Sequence, residues 1–295
     1  MSYLPTVFGL VTALCWGTAD YLSRSQSEKF GHYATTVYMH IATLLVVLVL
    51  LPVLAPPLAI TALPAGMLVA AGVLNFLAFI LLYRAFHKGV VSVVAPVAYS
   101  YPAVTTVVSV ILLGVVLAVT RAIAIAAIIF GVVLLSMRFS EIRSYAKGDG
   151  LPKLTAGVGS AIASAVSFGL VYVVIGYVTP AVGYFLPVLF LRGVGTAVGL
   201  ALAPAFGAKL KLTRVSFSRT IVVMGILESV GILTFNFGVS LGADSLPIVA
   251  ALSGMGGAFA ATYAMVFLKE RLEANQLLGA FCSFAGVFAL LYLVR

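Results

Sequence analysis

The sequence predicts an all-α integral membrane protein with ten transmembrane helices around a central cavity. Apolar residues make up 63% of the 295 residues and charged residues only 8%, whereas soluble domains average roughly 45–50% and 25%. A helix needs about 20 apolar residues to cross the hydrocarbon core of a bilayer. Ten such stretches follow one another with short connections, at 5–23, 33–54, 64–84, 90–114, 119–137, 154–177, 183–204, 218–240, 245–268 and 274–294.

The pattern of crossings repeats after the fifth, which predicts two halves built on one plan. Trp16-Gly17 corresponds to Phe168-Gly169 at an offset of 152 residues, and Gly131 corresponds to Gly286 at an offset of 155. Because five crossings is an odd number, the second half is expected to lie upside down relative to the first. Inverted repeats are typical of carriers with a substrate site near the bilayer midplane. The predicted segments are a first half, a basic connecting loop and a second half, at 1–138, 139–152 and 153–295.

Lysine and arginine are distributed unequally between the two sides of the predicted bundle. The loops after the odd-numbered crossings carry 14 of the 17, the opposite side carries Arg121 and Arg295, and Arg192 lies within a crossing. Such an excess is usually cytoplasmic, so the charge pattern favours a multi-pass protein of the plasma (inner) membrane with both termini outside. The net charge of +9 is accounted for by these loops and gives no indication of nucleic-acid binding.

Three motifs stand in order along the predicted helices: Ala13–Gly17, then Arg84–Gly89 with Ala95-Pro96, and finally Leu268–Leu272. Together with the repeat, they resemble the EamA-type branch of the drug/metabolite transporter superfamily. The resemblance implies a secondary transporter that moves a small polar or amphiphilic metabolite, such as an amino acid or amine, by alternating access, often for export. It also implies that crossings 1–4 and 6–9 line the path, and that both termini are cytoplasmic, opposite to the charge pattern.

Motifs of nucleotide hydrolysis and of common hydrolases are absent from the sequence. It contains no GxxxxGK[ST], HExxH or GxSxG pattern, so we expect neither an enzyme nor an ATP-driven pump. Cys15 and Cys282 are isolated within crossings, and we expect no metal or other cofactor. The expected partners are the lipid bilayer and a small-molecule substrate, with one chain sufficient for function. Energy would come from a proton or substrate gradient, and the alternative is a passive channel or facilitator.

Glu228 is the strongest candidate for a functional residue. A charge at the bilayer centre costs about 2.5–3.5 kcal/mol even on the lenient insertion scale, so such residues indicate functional sites. Glu228 lies about ten residues into the eighth crossing, among apolar neighbours. We expect it to exchange a proton during transport or to pair with a cationic substrate. The alternative, which does not exclude the others, is a static ion pair with Arg192.

Three further ionisable residues lie in or near the predicted crossings. Asp20 follows Trp16 by one helical turn on the same face, where a carboxylate and an indole are suited to an ammonium group. Asp20 is the second candidate for proton coupling, and its alternative role is a salt bridge with Arg24. Arg192 and His40 correspond at an offset of 152 residues, and both are candidates to anchor a polar group of the substrate. Arg192 would bind a substrate carboxylate or phosphate or tune Glu228, and its alternative role is to tie helices together. His40 could titrate near neutrality, and its alternative is a simply hydrogen-bonded histidine.

Tyrosine and asparagine side chains complete the predicted substrate site. Tyr99 and Tyr101 flank Ser100 and precede Pro102, and proline weakens the helical hydrogen-bond ladder. Breaks in transmembrane helices tend to line cavities, so these tyrosines are expected to contact the substrate with Trp16. The alternative for each tyrosine is the aromatic belt at the membrane interface. The remaining candidates for the same cavity are Tyr38, Asn75, Tyr172 and Asn236.

Overall fold

The computed structural model describes residues 3–54, 56, 58–88, 97–137, 139–146, 157–208, 210, 213, 216–242, 244–259, 263 and 273–293. Within these ranges the chain forms helices and no strands. In chain order they are α1 Leu4–Phe30, α2 His32–Leu54, α3 Ala62–Lys88, α4 Tyr101–Leu113, α5 Val119–Ser136, α6 Phe139–Ala146, α7 Val158–Val182, α8 Phe185–Leu202, α9 Arg219–Ser240, α10 Ser245–Ser253 and α11 Ala274–Leu293.

Each predicted crossing overlaps one of these helices, but three differences are informative. The helix α1 continues past the predicted end at residue 23 to Phe30, and it ends where Gly31 takes a φ of 80°, a conformation that glycine adopts without strain. A short helix, α6, occupies part of the predicted connecting loop. The predicted crossings 90–114 and 245–268 each extend into ranges outside the described residues.

The surface of the helices is suited to contact with lipid. Within the described ranges, five helices are long and apolar enough to cross a membrane, namely α2, α3, α7, α8 and α9, and three shorter apolar helices lie at Tyr101–Leu113, Val119–Gly131 and Ser245–Phe259. Large apolar side chains point outward, such as Val53 at 74% exposure and Phe281 at 71%. Water would solvate such a surface poorly. That all ten predicted crossings span the membrane stays a prediction.

Packing between helices is symmetric when the two halves are exchanged, with α1–α5 corresponding to α7–α11. The helix α1 packs against α9 and α10, and its equivalent α7 packs against α3 and α4. Similarly, α2 packs against α9, and α8 packs against α3. Three pairs of equivalent helices also touch directly, namely α2 with α8, α4 with α10 and α5 with α11. Contacts of this kind are expected around a two-fold axis.

In two of these three pairs, α2 with α8 and α5 with α11, the helices run in opposite directions. Between α2 and α8, the Tyr33 hydroxyl donates to the Gly199 carbonyl at 2.7 Å, whereas His40, two turns later, meets the earlier residue Arg192. Between α5 and α11, Gly131 packs against the Gly279 carbonyl, and Gly286 packs against the Ala124 carbonyl. The second contact is the first one repeated, because both pairs are related by the offset of 155 residues.

The pair α4 and α10 differs from the other two because both helices are interrupted where they meet. A turn at Tyr99 and Ser100 precedes α4, and a turn at Gly254 and Met255 follows α10 before helix resumes at 256–259. The Tyr101 hydroxyl and the Ser253 hydroxyl are hydrogen-bonded across this contact at 2.9 Å. The interruptions leave polar groups beside the two-fold contact in the middle of the bundle.

Candidate functional site

A cavity lies between the two halves, next to the interrupted helices. The space that no atom fills amounts to about 440 Å³, and this volume includes open solvent. Both halves contribute side chains to its wall. The lining residues are Trp16, Asp20, Phe79, Leu82, Ala98, Tyr99, Tyr101, Phe168, Tyr172, Arg192 and Glu228.

Glu228 in α9 is held by Arg192 in α8. The Arg192 Nη2 donates to the Glu228 Oε2 at 2.9 Å, and the two residues are only 1% and 3% exposed. Charges buried this deeply require a partner, because the desolvation of an unpaired ion costs several kcal/mol. The ion pair that the sequence offered as an alternative is therefore present, and it joins two helices of the second half.

His40 in α2 contacts the same arginine from the other half. Its Nε2 lies 3.4 Å from the Arg192 Nη1, and its Nδ1 lies 3.0 Å from the Thr36 carbonyl. Because arginine is always protonated and only donates, the Nε2 must be the acceptor and the Nδ1 carries the proton. The hydrogen-bond network therefore assigns a neutral imidazole here. The side chain of Asn75 in α3 also interacts with His40.

Asp20 in α1 is the second acid of the cavity, and its surroundings differ from those of Glu228. The carboxylate of Asp20 accepts a short hydrogen bond from the Tyr99 hydroxyl, and the residue is half-buried. No lysine, arginine or histidine of the described part of the chain forms an ion pair with it. The side chain of Arg24, the predicted partner, lies outside the described residues. Among the described residues, the partner of the Asp20 carboxyl group is therefore a neutral hydroxyl rather than a cation.

Aromatic rings form the apolar part of the wall. The Trp16 indole stacks on Tyr172 with centroids 5.7 Å apart and on Phe235 at 5.6 Å, and Phe168 stacks on Tyr172 at 6.1 Å. Gly231 in α9 makes room for the indole, because a methyl group there would lie 2.6 Å from the Trp16 Nε1. Of these rings, Trp16, Phe168 and Tyr172 line the cavity together with the two acids.

Two hydrogen-bond donors of the wall have no partner in the protein. The Trp16 Nε1 and the Arg192 Nε are buried and make no hydrogen bond within the described structure. An unsatisfied buried donor costs about 1–3 kcal/mol, so native proteins retain few of them without a reason. Both donors belong to residues that line the cavity.

The eleven residues predicted for the site fall into three groups. Seven line the cavity. His40 contacts Arg192, and Asn75 interacts with His40. Two are elsewhere. Tyr38 packs against the rings of Phe30 and Phe217, and Asn236 donates to the Tyr184 carbonyl at 3.2 Å.

Sequence reasoning missed four lining residues, namely Phe79, Leu82, Ala98 and Phe168. The repeat contained a signal for Phe168, because it corresponds to Trp16 at the offset of 152 residues. Phe79 carries no such signal in the sequence, although its ring lies 5.4 Å from the guanidinium carbon of Arg192, close enough for a cation–π contact.

Comparisons with known proteins agree with this architecture. The sequence model of the EamA-like transporter family matches residues 4–137 and again residues 155–292. One solved crystal structure is similar over 99% of this chain and 97% of its own, with a TM-score of 0.77 and 16% sequence identity, which shows that the two chains share a fold. Among curated proteins, no sequence matches.

Proposed function

Because the chain belongs to the EamA-like transporter family, within the drug/metabolite transporter superfamily, we propose that it is a secondary carrier of a small polar or amphiphilic solute. It is a multi-pass integral membrane protein, as its apolar helices and its family indicate. The observation that carries the proposal is the cavity between the halves, which contains Asp20, Arg192 and Glu228 at a depth where charges are costly.

Alternating access is proposed as the mechanism, with the two halves as inverted repeats. The symmetric packing and the antiparallel contacts of α2 with α8 and of α5 with α11 support this arrangement. In an inverted repeat, each half can adopt the conformation of the other, which opens the cavity to the opposite side. Helices α5 and α11 pack mainly against each other. They are proposed to support the moving helices from the periphery.

The interrupted helices α4 and α10 are proposed to be the moving elements. Carriers commonly bind their substrates at discontinuous helices, where unwound backbone offers polar groups. The interruptions at Tyr99-Ser100 and at Gly254-Met255 flank the contact between Tyr101 and Ser253. A change of hydrogen-bond partner at this contact would let the two helices separate on one side while they close on the other.

The two acids are proposed to divide the work of coupling and anchoring. Asp20 is contacted by a neutral hydroxyl, so it is free to exchange a proton for a cationic group of the substrate. Glu228 is neutralised by Arg192, so its charge is already compensated when the cavity is empty. Of the two residues predicted for proton coupling, Asp20 is therefore the better candidate, and Glu228 has its main role in the arrangement of Arg192.

Counterflow in reconstituted vesicles tests the proposed function. Vesicles preloaded with unlabelled 2-phenylethylamine are diluted into the labelled compound, with and without an imposed pH gradient. A carrier gives saturable uptake and transient accumulation, and Asp20→Asn is expected to abolish the stimulation by the gradient. Glu228→Gln is expected to reduce transport, because it leaves Arg192 unpaired. Flux that never saturates and shows no counterflow would instead identify a channel, and no flux of this or any other small solute would contradict transport altogether.

A further inference from the structure

The chemical character of the cavity points to one class of ligand. We propose that it binds an organic monocation with an aromatic or similarly apolar body and a neutral hydrogen-bond acceptor, such as the amide of an aromatic amino acid, in preference to the zwitterionic amino acid. The inference deepens the proposed function, on which its consequence for transport rests, whereas its consequence for binding is tested separately.

The charge of the wall selects a cation. Once Asp20 has released its proton, the wall holds two carboxylates, the guanidinium of Arg192 and a His40 that is neutral by its hydrogen bonds, which leaves one net negative charge. A monocation makes the occupied cavity neutral, whereas a zwitterion leaves the negative charge and an anion doubles it. Buried charge without compensation is costly, so the empty site favours ligands with one positive charge.

The position of the charge is fixed by Asp20. Because Glu228 already forms an ion pair with Arg192 at 2.9 Å, the ammonium group of a ligand is expected to pair with the carboxylate of Asp20. The carboxylate of a zwitterion could accept from the Arg192 Nε, but it would lie near two acids and would leave the net negative charge of the cavity uncompensated. A neutral amide or ester avoids this cost in free energy.

The rest of the ligand is defined by the rings and by the two donors without partners. The aromatic side chains that line the cavity, Trp16, Phe168 and Tyr172, are suited to an apolar or aromatic body, and to an ammonium group at its edge. The Trp16 Nε1 and the Arg192 Nε require an acceptor. In α1, Trp16 and Asp20 are four residues apart, which corresponds to about 6 Å along the helix. An amine and a carbonyl separated by a few bonds can therefore engage both.

Intrinsic fluorescence reports binding at this site directly, because Trp16 is the one tryptophan of the chain. The purified protein in detergent is titrated at about pH 7, where an α-amino group is still largely protonated. Four probes are compared, each with one phenyl ring. Phenylalaninamide is a cation with a neutral acceptor, and 2-phenylethylamine is a cation without one. The compound 3-phenylpropanamide has the acceptor but no charge, and phenylalanine is the zwitterion.

The expected order of affinity follows from the structure. Phenylalaninamide should bind at least about tenfold more tightly than phenylalanine and 3-phenylpropanamide, and about three- to tenfold more tightly than 2-phenylethylamine. Phenylalanine that binds as tightly as its amide would overturn the proposed class of ligand. An uncharged amide that binds as tightly as the cation would do the same, as would the absence of saturable quenching by all four probes.

A pair of variants tests the counter-ion. Asp20→Asn should weaken the binding of phenylalaninamide at least about tenfold and leave the affinity for 3-phenylpropanamide unchanged. The matched control is Asp244→Asn, because Asp244 is an acid outside the cavity that pairs with Arg121, and it should change neither affinity. If Asp20→Asn does not fold, the order of the four probes on the unaltered protein still decides. Binding in the expected order without counterflow would contradict transport alone, and counterflow of other solutes without this order would contradict the ligand class alone.

Discussion

Asp20 and Glu228 are acids of the same cavity, yet their surroundings assign them different tasks. Glu228 is 3% exposed and accepts from Arg192 at 2.9 Å, so its charge is part of the packing between α8 and α9. Asp20 is half-buried and is contacted by the neutral hydroxyl of Tyr99. We therefore propose that the charge of the nearest partner, rather than burial alone, distinguishes an acid that exchanges ligands from one that stabilises the fold.

The largest effect is expected from removal of the cation that holds Glu228. Arg192→Met leaves a buried carboxylate without a partner, and it should lower the free energy of unfolding by about 3–5 kcal/mol. Chemical unfolding in detergent micelles measures the change. The double variant Arg192→Met with Glu228→Met is the control, since two apolar side chains can replace a buried ion pair at little cost. A double variant as unstable as the single one would show that Arg192 acts through other contacts.

A smaller effect is expected at the hydroxyl beside Asp20. Tyr99→Phe removes the hydrogen bond to the carboxylate and should lower stability by about 1 kcal/mol. It should also change the affinity for 2-phenylethylamine by about two- to fivefold, because the position of the Asp20 carboxylate is no longer fixed. Titration of the Trp16 fluorescence measures this change. An affinity that does not differ from that of the unaltered protein would show that Tyr99 has no part in the position of the acid.

The smallest effect is expected at an ion pair in which both side chains are accessible to solvent. Asp244 lies 3.7 Å from Arg121, with 39% of its side chain exposed, and exposed ion pairs contribute about 0–1 kcal/mol. Asp244→Asn should therefore change the midpoint of thermal unfolding only slightly, and raised salt should have as little effect. A loss comparable to that of Arg192→Met would contradict the distinction between buried and exposed pairs.

Much of this architecture can be predicted from the sequence, because apolar length and periodicity determine membrane helices directly. The stretch predicted at 218–240 is α9, Arg219–Ser240, and the stretch at 119–137 is α5, Val119–Ser136. The extension of α1 to Phe30 could not be predicted in this way. Its last two turns are polar, so hydropathy places the end too early, and Gly31 rather than a change in polarity ends the helix.

The site was predicted less completely than the helices, for a physical reason. Polar residues inside crossings are rare, so Asp20, Arg192 and Glu228 were recognisable without a structure. Which side chains share a cavity depends on the rotation of each helix about its axis. Tyr38 was therefore expected in the cavity although its ring packs against Phe30 and Phe217, and the contribution of Phe79 could not be predicted.

The central claim is that Asp20 is the counter-ion of the ligand and Glu228 is not. Asp20→Asn and Glu228→Gln remove the same charge from the same cavity. A general electrostatic effect would therefore weaken the binding of 2-phenylethylamine equally in both variants. The dissociation constant of this probe, measured from Trp16 fluorescence, separates the two roles. We expect Asp20→Asn to raise it at least about tenfold, or about 1.4 kcal/mol, and Glu228→Gln to raise it less than about threefold. Equal effects, or a larger effect of Glu228→Gln, would contradict the account.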